Sequence, residues 1–283
     1  MGKSLFDYSA SIRELFQSAG RILGFDLASI CLNGPEDRLN QTDISQPAIY
    51  VTSIASYRTA VESGLFDAGA VTAYAGLSLG EYTALHLSGA IGFEEGLRLV
   101  ALRGKYMQEA AVASPSGMVA LIGADEAAAR KICDENAQGE VLVPANYNAP
   151  GQIVLSGSIA ACQRAVAAAD ALGIRAMPLK VAGAFHSPLM QSAANKMTAE
   201  LARVSFSQPA KTVYSNVTAR PHAEPEAIKR LLVEQIVSPV RWEQTMQALV
   251  AAPEARFIEL APGKTLAGLA KRINRRLVVE SIG

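Results

Sequence analysis

The chain has 283 residues, half of them apolar, which is length enough for one large domain or two modest ones around a buried core. Its 26 basic and 26 acidic residues cancel, so the overall charge gives no reason to expect nucleic acid or an anionic membrane as a partner. Cys31, Cys133 and Cys162 lie far apart, without metal-ligand spacing or an even-numbered disulfide framework, which favours a reducing compartment.

Residues 9–23 and 47–63 read as amphipathic helices, the second opened by Ser45-Gln46-Pro47 with the proline in its first turn. A strand over 71–75 runs into Gly76-Leu77-Ser78-Leu79-Gly80-Glu81, and helical texture follows. A further helix covers 93–112, and Ser114-Pro115-Ser116-Gly117 breaks it. The next stretch reads strand 118–122, helix 124–136, strand 141–145, strand 152–156, helix 159–172 and strand 175–181. That βαββαβ order is the ferredoxin-like split unit, expected here as an inserted subdomain over 117–183. Beyond it, a helix follows Ser187-Pro188, with a strand over 212–216 and a helix over 225–236. Another helix follows Trp242, then a strand over 256–260, the turn Ala261-Pro262-Gly263 and a helix from Thr265. Strands alternating with helices in 1–116 and 184–283 predict an α/β core with a mainly parallel sheet covered on both faces.

The G-x-S-x-G spacing at 76–80 has a mechanical reason. A sharp strand-to-helix turn holds Ser78 in a strained conformation with its oxygen proud of the sheet, and flanking glycines keep side chains away. The Leu79 N–H then stands at a helix N-terminus, suited to stabilise an oxyanion. A serine nucleophile needs a base, and the chain holds three histidines. His86 is eight residues further along the same helix, about 12 Å up its axis, and cannot reach. His222 falls in a polar loop, where most histidines are solvated. His186, in Gly183-Ala184-Phe185-His186-Ser187-Pro188, is expected just after a strand, where active-site groups of open α/β sheets gather. It is the candidate base.

Arg103 is the third signal. Leu99, Val100, Tyr106 and Met107 surround it at helical spacing, so it occupies an apolar stripe, whereas Arg98 with Glu94 and Lys105 with Glu109 read as solvated pairs. A guanidinium in such a stripe requires an anion or several carbonyls. The alternatives are an internal ion pair or cap contact, and a bidentate clamp on a substrate carboxylate. Lys271, Arg272, Arg275 and Arg276 share one helical face, read as solvated surface or as a contribution to docking an acidic partner.

Taken in order, these motifs resemble the malonyl-CoA:acyl carrier protein transacylases, a family of malonyl-specific acyltransferases. The resemblance runs through Ser45-Gln46-Pro47-Ala48, the elbow at 76–81, Arg103-Gly104 with Met107, the stretch 146–152, Gly183 to Ser187, Glu234-Gln235, the stretch 238–242 and Ala261-Pro262-Gly263-Lys264. It implies an α/β-hydrolase-like core with a parallel sheet plus the inserted ferredoxin-like subdomain. It makes Ser78 the nucleophile, His186 the base and Arg103 the binder of the malonyl carboxylate. It offers Gln235 as the group orienting the imidazole through a carbonyl, and Phe185 as the ring that leaves little space for an α-methyl group. The implied partners are malonyl-CoA and acyl carrier protein, with no nucleic acid, no membrane, no metal and no cofactor. The expected location is the cytoplasm, since no leader or membrane-length apolar run is present and Phe6 stands where myristoylation wants Ser or Thr.

Two departures accompany the resemblance. Leu77 stands where the family has a histidine, a change expected to be tolerated because His186 supplies the base. The Met1-Gly2-Lys3-Ser4-Leu5 start matches the segment after the family's first strand and G-Q-G-x-Q loop, whose glutamine completes the oxyanion hole. One core strand and one oxyanion donor are therefore expected to be missing from these residues, leaving a neighbouring strand edge open. The expectation is that the given start lies downstream of the true one. The rival readings are a serine esterase or thioesterase, and a catalytically impaired carrier-binding homologue.

Overall fold

The computed structural model describes residues 1–251 and 255–283. The N-terminal part is helical: α1 (Lys3–Tyr8), α2 (Ala10–Leu23), α3 (Leu27–Asn33), α4 (Glu36–Leu39) and the long α5 (Thr42–Glu62). In α2 the Ser9 hydroxyl accepts from the Ile12 N–H, and Ile12, Leu15, Phe16 and Ala19 recur every three or four residues on the buried face. α5 departs from expectation. It begins at Thr42, so Pro47 lies inside the helix rather than in its first turn, at the cost of one backbone hydrogen bond. It is also buried along most of its length, from Ile44 to Ser56, and not amphipathic. A helix enclosed on all sides loses the periodicity that sequence reading relies on.

β1 (Ala73–Tyr74) leads through the serine turn into α6 (Gly80–Leu87), and α7 (Phe93–Ala113) packs along α5. The chain then forms β2 (Ser116–Ile122), α8 (Glu126–Asn136), β3 (Leu142–Ala149), β4 (Gln152–Ser158), α9 (Ile159–Ala171) and β5 (Arg175–Pro178). These four strands make an antiparallel sheet of order β3-β4-β2-β5. Its alternation sorts side chains to two sides. Val119, Leu121, Ile153 and Leu155 join Ile132, Cys133 and Ala165 in a core beneath α8 and α9. Met118, Ala120 and Val154 face the other way, and Phe185 packs against them.

The remaining elements are α10 (Gln191–Ala202), β6 (Thr212–Val213), α11 (Pro225–Val237), α12 (Trp242–Val250), β7 (Phe257–Leu260), α13 (Thr265–Ile273) and β8 (Val279–Ile282). The result is a mixed α/β protein. The expected parallel sheet is present as two parallel pairs, β1 with β6 and β7 with β8, and the strands expected over 71–75 and 212–216 shrink to two residues each. β8 has no counterpart among the predicted elements; a four-residue strand whose partner lies some twenty residues earlier leaves little local pattern. β1 and β7 have one strand neighbour each among the described residues. Between them lie cavities of about 350, 370 and 570 Å³ that share Ala73 and Ile258 in their walls.

Candidate active site

The turn between β1 and α6 is strained as its sequence predicts: Ser78 has a φ of 52°, in the left-handed region that a non-glycine residue seldom enters. Gly76 is required for space, since a Cβ there would come within 2.1 Å of the Gly80 carbonyl carbon. Gly80 is not. An added Cβ at that position meets nothing within 4 Å, which corrects the reading that both glycines keep side chains away. Asn216, just beyond β6, clamps the turn on both sides. Its Oδ1 accepts from the Ser78 N–H at 2.5 Å and its Nδ2 donates to the Gly76 carbonyl at 2.7 Å.

Ser78 Oγ lies 2.9 Å from His186 Nε2. On the other side of the ring, Nδ1 faces the main-chain carbonyl of Gln235 at 2.7 Å. A carbonyl only accepts, so the proton sits on Nδ1 and Nε2 is free to accept from the serine hydroxyl. Gln235 therefore orients the imidazole through its backbone, while its side chain is engaged elsewhere. His186 does not sit directly after a strand, as expected; β5 ends at Pro178 and a loop intervenes. Three serines hold that loop instead. Ser156 donates to the Phe185 carbonyl at 2.5 Å, Ser187 donates to the Ala184 carbonyl at 2.6 Å, and Ser116 Oγ accepts from the Ala184 N–H at 3.0 Å. Burial, and then the positive charge of Arg103, pull the His186 pKa down to about 4. The imidazole is thus neutral near pH 7 and able to act as a base.

Arg103 is 1 % exposed. Its Nη1 donates to Gln46 Oε1 at 2.7 Å, and its Nη2 donates to Gln235 Oε1 at 2.8 Å and to Ser78 Oγ at 3.0 Å. Nε has no partner among the described residues, and no carboxylate forms an ion pair with the guanidinium there. Burial lowers its pKa from the usual arginine value. The close approach of α5 and α7 brings Gln46 to it: a Cβ on Gly104 would lie 2.6 Å from the Thr42 carbonyl oxygen. Ser78, His186, Arg103, Gln46, Leu79 and Phe185 together line a cavity of about 260 Å³. Leu79 precedes the first residue of α6, and its N–H has no hydrogen-bond partner among the described residues.

Other sequence expectations fare unevenly. His86 is held by the Ile91 carbonyl at 3.1 Å beside Tyr50 and Phe93, away from Ser78 as its spacing required. His222 overturns its reading as a solvated loop residue: it is buried, with Nε2 2.8 Å from Glu81 Oε1. Arg98 pairs with Glu94 at 2.5 Å, but Glu109 pairs with Lys196 at 2.6 Å and not with Lys105. Lys271 and Arg272 close α13, whereas Arg275 and Arg276 fall beyond its end, so the four do not share a helical face. Asn216 and Glu81 escape sequence reading altogether. The available signal is an acid three residues after a nucleophilic serine, in a helix whose neighbouring positions are apolar. Among the described residues, no group of His, Cys, Asp or Glu could hold a metal ion, and no single helix is long and apolar enough to cross a membrane.

Residues 1–276 match the acyl transferase domain family. The chain is 41 % identical to the malonyl CoA-acyl carrier protein transacylase of Salmonella typhimurium over 273 residues, covering 96 % of this chain and 87 % of that protein. It superposes on the acyl-carrier-protein S-malonyltransferase structure from Bartonella henselae with a TM-score of 0.94 at 38 % identity, covering all of this chain and 90 % of that one. A malonyl-transacylase solved in complex with a type II polyketide synthase acyl-carrier protein gives a TM-score of 0.92, also at 38 % identity, with 98 % and 88 % covered. With that extent of identity and a shared fold, the chain belongs to the malonyl CoA-acyl carrier protein transacylases of the acyl transferase domain family.

Proposed function

We propose that the protein transfers a malonyl group from malonyl-CoA to the phosphopantetheine thiol of an acyl carrier protein, by two steps through an ester on Ser78. His186 Nε2 takes the Ser78 proton as Oγ attacks the thioester carbonyl. The Leu79 N–H faces the developing oxyanion from the N-terminus of α6. The tetrahedral intermediate collapses, and CoA departs as a thiol with the proton from His186. The carrier thiol then gives its proton to His186 and attacks the ester carbonyl; the carrier thioester forms as the bond to Ser78 Oγ breaks, and His186 returns the proton to that oxygen.

The observation that carries this reading is the placement of one hydroxyl between two groups: Ser78 Oγ is 2.9 Å from His186 Nε2 and 3.0 Å from Arg103 Nη2. One methylene separates the ester carbonyl of a malonyl group from its carboxylate, so a guanidinium this near the esterified oxygen is within reach of that carboxylate. Phe185, on the cavity wall, limits room beside that methylene. The partner of Nδ1 argues against a serine hydrolase, because His186 rests on a neutral carbonyl and not on a carboxylate. A carbonyl stabilises imidazolium less, which suits a thiol leaving group better than an alcohol or amine.

Incubation with malonyl-CoA alone, followed by mass spectrometry, should find one malonyl adduct on Ser78, absent in Ser78→Ala. Added holo carrier protein should discharge it. Steady release of free malonate without a thiol acceptor would instead make the protein a thioesterase.

The same reading divides the chain into an α/β-hydrolase-like catalytic core, 1–116 with 184–283, and a ferredoxin-like subdomain, 117–183. The strand order β3-β4-β2-β5 and the separate core under α8 and α9 support that division. A cytoplasmic location accompanies it, supported by three buried cysteines without disulfides.

A further inference from the structure

Behind the serine turn lies a buried acid that takes no part in the two transfer steps. Glu81 is fully enclosed in the first turn of α6. Three polar groups converge on its carboxyl: Gln235 Nε2 donates at 2.7 Å and the Asn216 N–H at 2.9 Å to Oε2, and His222 Nε2 lies 2.8 Å from Oε1. Main-chain and amide N–H groups can only donate, so Oε2 is held as an acceptor. His222 Nδ1 has no partner among the described residues.

The link to the site is the Gln235 amide. Its Oε1 accepts from Arg103 Nη2 at 2.8 Å, while its Nε2 donates to Glu81 and, at 3.0 Å, to the Ser78 carbonyl. Reversing that amide would set NH₂ against the guanidinium and oxygen against the carboxylate. Glu81 therefore locks the orientation of a side chain standing between a buried anion and a buried cation. We propose that Glu81, supported by Asn216 and His222, is a positioning residue of the transfer: it fixes Gln235 and carries the negative charge that balances Arg103 when no acyl carboxylate is bound. This inference rests on Arg103 gripping the malonyl carboxylate.

Two variants separate charge from geometry. Glu81→Gln removes the charge and keeps the shape. Its carbonyl can accept from Gln235 and Asn216, and its NH₂ can donate to His222 Nε2 once that ring changes tautomer, leaving one ring nitrogen unpartnered as before. Glu81→Asp keeps the charge but withdraws the carboxylate by one methylene. Ser78 acylation by malonyl-CoA and by acetyl-CoA is measured by rapid quench and mass spectrometry in the intact protein, with Arg103→Ala alongside. With the balancing anion gone, Glu81→Gln should raise the malonyl-to-acetyl ratio of kcat/KM about tenfold, mainly through KM, the scale of a charge interaction across one amide at an effective dielectric of ~20. Glu81→Asp should lower kcat for both substrates and leave the ratio unchanged.

A Glu81→Gln ratio equal to or below that of the wild type overturns the proposal. Should Glu81→Gln fail to fold, a ratio altered in Glu81→Asp overturns it instead. If Arg103→Ala leaves the discrimination intact, the carboxylate clamp itself is wrong and this inference falls with it. An intact clamp with an unmoved Glu81→Gln ratio sinks this inference alone.

Discussion

Replacing Arg103 with alanine tests the site most directly, because two independent readouts must move together. In the free protein the guanidinium makes three hydrogen bonds, none to an anion: 2.7 Å to Gln46, 2.8 Å to Gln235 and 3.0 Å to Ser78. A malonyl carboxylate adds what those neutral acceptors lack. Each charge-assisted hydrogen bond to it contributes about 1.5–3 kcal/mol, so a two-pronged contact is worth about 3–6 kcal/mol, or about two to four orders of magnitude in malonyl kcat/KM. Acetyl-CoA offers no carboxylate, and its rate should stay within about tenfold of wild type or rise. The second readout is electrostatic. Arg103 is, after burial, the main cause of the depressed His186 pKa, so its removal should move the acid limb of acylation up from about 4 toward the ordinary value of 6.5. Single-turnover acylation of Ser78 by each thioester between pH 4 and 8 supplies both quantities. Equal losses for malonyl and acetyl substrates, or an acid limb that stays in place, would refute the assignment.

Two further outcomes are set by the geometry. Gly76→Ala pushes a methyl group into the Gly80 backbone, 2.1 Å from its carbonyl carbon; the variant should acylate at least about 10²-fold more slowly, as expected when a nucleophile is misplaced by an ångström, whereas Gly80→Ala should be far milder by the same quench assay. The unfolded chain binds a proton at His186 near pH 6.5 and the folded chain not until about 4, so acid favours unfolding across that window. Stability should fall by about 3 kcal/mol from this group as the pH drops from 7 to 4, and denaturation of His186→Gln should lack that part of the pH dependence.

The serine turn, the helices on either side of it and the buried arginine are legible from sequence because their causes are local. Gly76 is needed by atoms four residues away, and Arg103 is exposed as anomalous by side chains within one helical turn of it. Boundaries fail where an element is enclosed on all sides, as α5 is, or where a two-residue strand depends on a distant partner, as β1 depends on β6. The fate of His222 illustrates the limit. In sequence it sits among prolines and charged residues of a loop, and nothing nearby announces that the loop folds over α6 and buries it against Glu81.

By itself, the sequence determined which residues could do chemistry: a hydroxyl on a strained turn, a histidine able to serve it, and a cation that required an anion or several carbonyls. The tertiary structure alone decided how they are wired. The contacts that orient Gln235, Asn216 and His222 around Glu81 join positions 135 to 154 residues apart, and His186 finds the Gln235 backbone across 49. Short-range propensities carry no information across such separations; only packing, by removing water from polar groups that must then pair with one another, selects those partners.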